Sequence, residues 1–321
     1  MPAPVALTFR FPREMDRADE SHSQELVISH ARIADWTRIE VTDELDCLGP
    51  IGLDVLRRHG LIFPTAPHNL VPALRLCGGG SLITGIGGDE ILGRRSHVAD
   101  VLAGRVRPVS RDVARIAIAF GPRGVRRARA RRQAPAFVNW LTPAGRAAFE
   151  RQWAEVVARN PVAWGRGLRW TWRSRAHQIA FESMDVLAHE YDVQLHHPLF
   201  SPRFVSVFAK AAGVRGYAGR TEVMRTLFAD VLPEEINSRP TKAVFGQPHW
   251  THYSQDFGRS WNGEGVNPEL VDVDVLHRLW TDTNPPPGPT LILLKQAWLA
   301  SNGLGQRFES SSTSRPAASA S

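Results

Sequence analysis

The chain has 321 residues, 43% of them hydrophobic and 22% charged, with a formal net charge of +7. That length supports one large domain or two small ones around a substantial core, and no run of about 18 apolar residues exists to span a bilayer. The opening MPAPVALTFRFP lacks the basic start and long apolar stretch of a signal peptide, so a cytoplasmic location is the default expectation.

The front third alternates strand and helix signals. VALTFRF (Val5 to Phe11) has the β-branched and aromatic content of a buried strand. RADESHSQELVISHARI follows with Asp19 placed as an N-cap and helical spacing through Leu26 and His30. TRIEV (Thr37 to Val41) reads as the next strand, LDVLRRHG as a helix stopped by Gly60, and GSLITG as a further strand. This succession predicts a parallel sheet with crossover helices, whose ligands sit at the carboxyl ends of strands. After Gly104 the character is helical. Leu168 to Glu190 and Thr221 to Leu232 carry helical spacing, and NPPPGP (Asn284 to Pro289) makes a stiff turn before a last helix through TLILLKQAWLA. The tail ESSSTSRPAASAS is low in apolar content and is expected to be disordered.

Composition leaves few other signals. Cys47 and Cys77 stand thirty positions apart without the Cys or His spacing of a zinc site, and are expected to be small buried residues. Trp164, Trp170 and Trp172 are expected in the core rather than in a stacking platform. RGVRRARARR (Arg123 to Arg132) concentrates six arginines. Such a run grips a polyanion or forms a solvated helix face, and the absence of a nucleic-acid motif favours the second.

The stretch TGIGGDE (Thr84 to Glu90) sits at an expected strand end. Two accounts compete for it. Glycines make turns, and Asp-Glu opens a helix by capping and dipole effects. Alternatively, close backbone approach and a carboxylate serve a phosphate and its metal ion.

Three segments decide between them by resemblance. TGIGGDEILG resembles the S-G-x-G-x-D-E segment of the synthetase domain of asparagine synthetases, β-lactam synthetases and lasso-peptide cyclases. HHPLFSPRFVSVFA resembles that family's V-P-F-L-D segment and following helix, and GRTEVMRTLFADVLPEEINSRPTKAVFG resembles its K-x-x-L-R…L-P-x-x-I-x-x-R-x-K-x-x-F segment. The resemblance covers roughly Val5 to Leu299. It implies an adenylating domain over residues 1–307, with an α/β nucleotide part over 1–104 and a helical part over 105–307, and a disordered tail over 308–321. The implied fold is a parallel, doubly wound PP-loop (HUP-like) sheet. The implied chemistry uses ATP and Mg2+: a small-molecule or peptide carboxylate attacks the α-phosphorus, and an amine then displaces AMP from the acyl-adenylate, drawn in some cases from a separate amine or ammonia donor. Lys242 is placed on the leaving pyrophosphate and Asp89 on magnesium; Thr84, Gly85 and Gly87 admit the nucleotide; Leu7, Thr8 and Phe9 offer backbone groups to adenine.

Two departures accompany these matches. Where asparagine synthetases carry glutamate and β-lactam synthetases tyrosine, this chain has Ile86, which neither donates nor accepts a proton and is expected to line the acceptor pocket. Glu182, Asp185, Glu190, His196 and His197 remain open as alternatives for the base. The family's S-G-G-x-D-S phosphate loop and glutaminase half are also missing, so an in-frame upstream segment carrying the first strand and loop is expected, and ATP binding from Met1 alone is expected to be poor. The expected function is ATP-dependent amide-bond formation through an acyl-adenylate. The alternatives are a non-catalytic or N-terminally truncated member acting as a binding module and an RNA-modifying PP-loop protein; nucleic acid and membrane are not expected partners.

Overall fold

The computed structural model describes residues 4–93, 97–239 and 243–305. The β-branched and aromatic run at the front forms β1 (Ala6–Arg10), which pairs in parallel with β2 (Trp36–Glu40), Leu7 opposite Thr37. The crossover is α1 (Ser21–Ala31). Asp19 opens it with a carboxylate that accepts the Ser21 N–H at 2.9 Å, one residue earlier than a regular N-cap. α2 (Pro50–His59) starts on proline, whose missing N–H would be unpaired there anyway, and stops at Gly60 with φ 68°. α3 (Val71–Leu76) leads to β3 (Ser81–Ile83) and the short α4 (Gly88–Leu92).

Helices dominate from there: α5 (His97–Leu102), α6 (Ser110–Phe120), α7 (Arg123–Arg132) and α8 (Pro143–Arg159), the last capped by the Thr142 hydroxyl accepting the Gly145 N–H. The helix expected over Leu168 to Glu190 is two helices, α9 (Trp164–Trp172) and α10 (Arg175–Glu190). The break falls at Ser174, which takes extended backbone and bonds the His177 ring through its hydroxyl, an alternative that an N-cap residue offers the chain. β4 (Gln194–His196) pairs in parallel with β3, Leu82 opposite Leu195. α11 (Pro202–Ala212) and α12 (Arg220–Phe228) follow. α12 ends four residues before the expected Leu232, as the chain turns into Pro233 and α13 (Glu234–Asn237). α14 (His252–Ser260), α15 (Val273–Thr281) and α16 (Gly288–Ser301) close the described chain. No helix among the described residues is long and apolar enough to cross a membrane.

The strands do not join into one doubly wound sheet: they form two separate parallel pairs, β1–β2 and β3–β4. Both pairs nevertheless rest on one apolar cluster. Ile39 and Phe9 reach it from the first pair, Leu82 and Leu195 from the second, and Val55, Leu74 and Leu187 fill it from the helices. Parallel ladders alternate their backbone groups between the two neighbours of a strand. On β1 the groups of Ala6 and Arg10 turn to β2, which leaves those of Leu7 and Phe9 on the other edge, where the Gln24 amide donates to the Phe9 carbonyl at 3.1 Å. On β3 the same alternation leaves Ser81 and the largely exposed Ile83 on the edge away from β4.

A buried polar centre ties the front of the chain to its last helices. The Asp46 carboxylate, fully buried, accepts the Leu48 N–H at 2.8 Å and the Thr251 hydroxyl at 2.9 Å, together with the Ser254 hydroxyl and the Thr251 N–H. Beside it the Lys295 ammonium donates to the Thr65 carbonyl at 2.7 Å. His68 donates from Nε2 to the Leu45 carbonyl at 2.9 Å, which turns its Nδ1 lone pair towards Lys295 at 3.5 Å. Cys47 is fully buried, its thiol pushed up to about 11 by desolvation, and Cys77 is half-buried, so neither is a poised thiolate.

Candidate functional site

The TGIGGDE loop leaves the carboxyl end of β3 and is held there by its neighbour strand. The Thr84 N–H donates to the His196 carbonyl at 2.9 Å, and the Thr84 hydroxyl lies 2.6 Å from His197 Nδ1. That hydroxyl also accepts the Ile86 N–H at 3.2 Å, and the Gly88 N–H closes a turn on the Gly85 carbonyl at 3.0 Å. Gly87 is required by geometry: its φ is 94°, and a Cβ there would stand 2.5 Å from the Phe200 Cβ. Gly85 differs, since a Cβ on it would meet nothing within 4 Å and its backbone borders open space. Asp89 and Glu90 occupy the first turn of α4, where carboxylates complement the helix N-terminus.

Glu90 is engaged in a chain of groups that the sequence pattern did not bring forward. Its carboxylate lies 3.0 Å from His177 Nε2, and His177 Nδ1 lies 2.7 Å from the Ser174 hydroxyl. The His177 bond holds the Glu90 carboxyl below its ordinary range against the opposing effect of burial. The S-x-x-H spacing at the start of α10 is the signal that could have found this chain. The arrangement staples α4 to α10 and keeps the loop's helical end fixed.

Next to the loop a cavity of about 470 Å³ opens between α10, β4 and the segment after it, lined by Phe181, Asp185, His196, His197 and Phe200. His197 is its best-placed polar group. Its ring stacks on Phe181 with centroids 5.1 Å apart, its Nδ1 is taken by Thr84, and its buried Nε2 has no hydrogen-bond partner among the described residues. Burial lowers its pKa, with Asp185 opposing, so the imidazole is neutral at neutral pH. When Nδ1–H donates to the Thr84 oxygen, Nε2 presents a lone pair, the state of a general base.

Of the five alternatives for a base, Asp185, His196 and His197 therefore line one cavity. Glu182 is exposed and outside that lining, and Glu190 is paired with Arg58 at the far end of α10. Ile86 is half-buried and is not among the lining residues. Leu7, Thr8 and Phe9 belong to the other strand pair, and Phe9 borders a second cavity of about 210 Å³ with Phe11, Leu45, Asn69, Phe245 and His249. Thr8 turns its hydroxyl to the Trp36 ring N–H at 2.9 Å. Lys242 lies outside the described residues. No group of three or more metal-ligating side chains occurs among the described residues. Magnesium held between phosphates needs only one or two carboxylates, so Asp89 retains its place as a candidate.

Comparison with family models, with curated proteins and with solved structures finds no match to this chain.

Proposed function

We propose that the protein is an ATP-dependent, amide-bond-forming enzyme of the asparagine-synthetase type, working through an acyl-adenylate. The observation that carries this is the TGIGGDE loop at the carboxyl end of a parallel strand, opening beside a cavity that holds a neutral imidazole whose Nε2 has no hydrogen-bond partner among the described residues. The residues present fit the nucleotide and its ion. Gly85 presents backbone to open space, and Asp89 is exposed at the loop's end and would hold magnesium. Bound there, the ion supplies charge neutralisation on the leaving pyrophosphate, with Lys242 as the second cation.

The chain's own groups then divide the work. Thr84 fixes the His197 ring through Nδ1, Phe181 holds its plane, and Nε2 accepts the proton released as the amine attacks the acyl carbonyl. The role taken by glutamate or tyrosine at the position of Ile86 in the resembled enzymes passes here to His197, since Ile86 lies outside the lining of the cavity. Asparagine is a poor fit as product; a carboxylate on a larger small molecule or a peptide suits a pocket walled by Phe181 and Phe200. In the test, His197→Ala keeps carboxylate-dependent ATP–pyrophosphate exchange and loses amide formation by about a hundredfold or more, and the acid-side limb of the amide-formation pH profile, where rate rises as the imidazole loses its proton, is lost with it. Exchange and amide formation falling together, or neither falling, would remove His197 from this role.

One observation favours a second reading. The strands stand as two separate pairs rather than one continuous sheet, which suits a non-catalytic relative that binds without turning over. Such a module binds nucleotide or acyl compound without pyrophosphate exchange. The RNA-modifying alternative has only the Arg123 to Arg132 run in its favour.

A further inference from the structure

Charge in this protein is segregated. Between residues 105 and 160 lie thirteen arginines and three carboxylates, with no lysine or histidine, so that this stretch carries +10 and the rest of the chain −3. The arginines converge because α7 packs along α8 and the two leave a groove of about 950 Å³ between them, lined by Arg127, Arg131, Arg132 and Arg151. It shares no lining residue with the TGIGGDE loop or with the His197 cavity.

The carboxylates on the groove are already used. Glu155 is shared by Arg123, Arg127 at 3.6 Å and Arg159 at 2.9 Å, and Glu150 pairs with Arg146 at 3.1 Å. Arg131, Arg132 and Arg151 are exposed and make no ion pair among the described residues. Three like charges held together without counter-charges repel one another, so a groove of this kind is stabilised by an anionic occupant. Outside the groove's lining, Val125 on α7 and Val156 on α8 are exposed apolar side chains, as is Phe120 at the end of α6, which is 61% exposed.

We infer that the α7–α8 groove is the docking site of an acidic polypeptide segment, one that places apolar side chains between its carboxylates. Guanidinium forks match carboxylates bidentately, and Val125 and Val156, exposed on the two helices beside the groove though outside its lining, offer apolar surface along its flanks. A nucleic-acid backbone gains nothing from those valines, and no aromatic ring lines the groove to stack a base. A bilayer surface is flat and cannot reach the floor of a groove between two helices.

Fluorescence anisotropy on the full chain tests this with a fluorescein-labelled peptide of repeated Glu-Leu-Glu units, beside a labelled oligothymidylate and vesicles of phosphatidylcholine with phosphatidylglycerol. The peptide is expected to bind most tightly, to weaken as salt is raised, and to lose about tenfold or more in affinity in the triple variant Arg131→Gln, Arg132→Gln, Arg151→Gln. The matching triple substitution to lysine, which keeps the charge but not the bidentate fork, falls between the parent chain and the glutamine variant. Tighter binding of the oligonucleotide or the vesicles overturns the assignment, as does a glutamine variant that binds the peptide like the parent chain or a lysine variant that loses as much as the glutamine one.

Discussion

Asp46→Ala is expected to lower the free energy of unfolding by about 3–5 kcal/mol, read as a fall in the urea midpoint with little change in slope. The carboxylate is the acceptor for donors from three places in the chain: Leu48 beside it, and Thr251 and Ser254 about two hundred residues on. Removing it strands those donors in a buried region, and each buried orphan costs about 1–3 kcal/mol. Burial raises the Asp46 carboxyl above its ordinary pKa even though every hydrogen bond it receives acts the other way. Its role is therefore connection rather than charge, and Asp46→Asn, which keeps one acceptor oxygen, is expected to lose less than the alanine variant. A loss under about 1 kcal/mol for Asp46→Ala would show that the front of the chain and the helix α14 are not joined through this group.

Acid is expected to undo the same region. Burial, helped by the Lys295 charge, lowers His249 to about 4, and His68 is held well below its ordinary value by burial and by Lys295. A histidine depressed in the folded state stabilises the fold fully above its unfolded pKa of about 6.5 and loses that contribution as pH falls through the folded value. For His249 the difference amounts to about 3 kcal/mol by pH 4, and His68 adds a loss of the same sign over the same window. Urea unfolding followed from pH 8 to pH 4 should therefore show a flat stability above pH 7 and a steep decline below pH 6. His249→Gln, which retains a hydrogen-bonding partner for Asn69 at the 2.7 Å contact, should flatten part of that decline. A profile with no difference between parent and variant would contradict it.

Local pattern made the front of the chain legible. VALTFRF, TRIEV and GSLITG are strands within one or two residues of their expected limits, and Gly60 and the NPPPGP turn bound helices as their chemistry requires. Pattern failed where a side chain overrode it. Nothing in the apolar spacing of Leu168 to Glu190 marks the break at Ser174, because the break depends on a bond to His177 and on Glu90 arriving from a distant element. β4 has only three residues, too few for alternation to show, so the partner of β3 was invisible until the chain was folded. The arrangement of the two strand pairs was beyond reach for another reason: periodicity identifies a strand and its buried face but not which strand lies beside it. At the site, the sequence offered Glu182, Asp185, Glu190, His196 and His197 as alternatives for the base. Only the shared wall of one cavity separates His197, His196 and Asp185 from Glu182 and Glu190.

The most direct measurement is carboxylate-dependent ATP–pyrophosphate exchange, run on the protein made from its own reading frame with amino acids and short peptides as the carboxylates. The proposed adenylating function predicts exchange with at least one of them, dependent on magnesium and reduced about a hundredfold or more in Lys242→Ala. ATP binding without exchange for every carboxylate would contradict it and leave the non-catalytic module as the function of this fold.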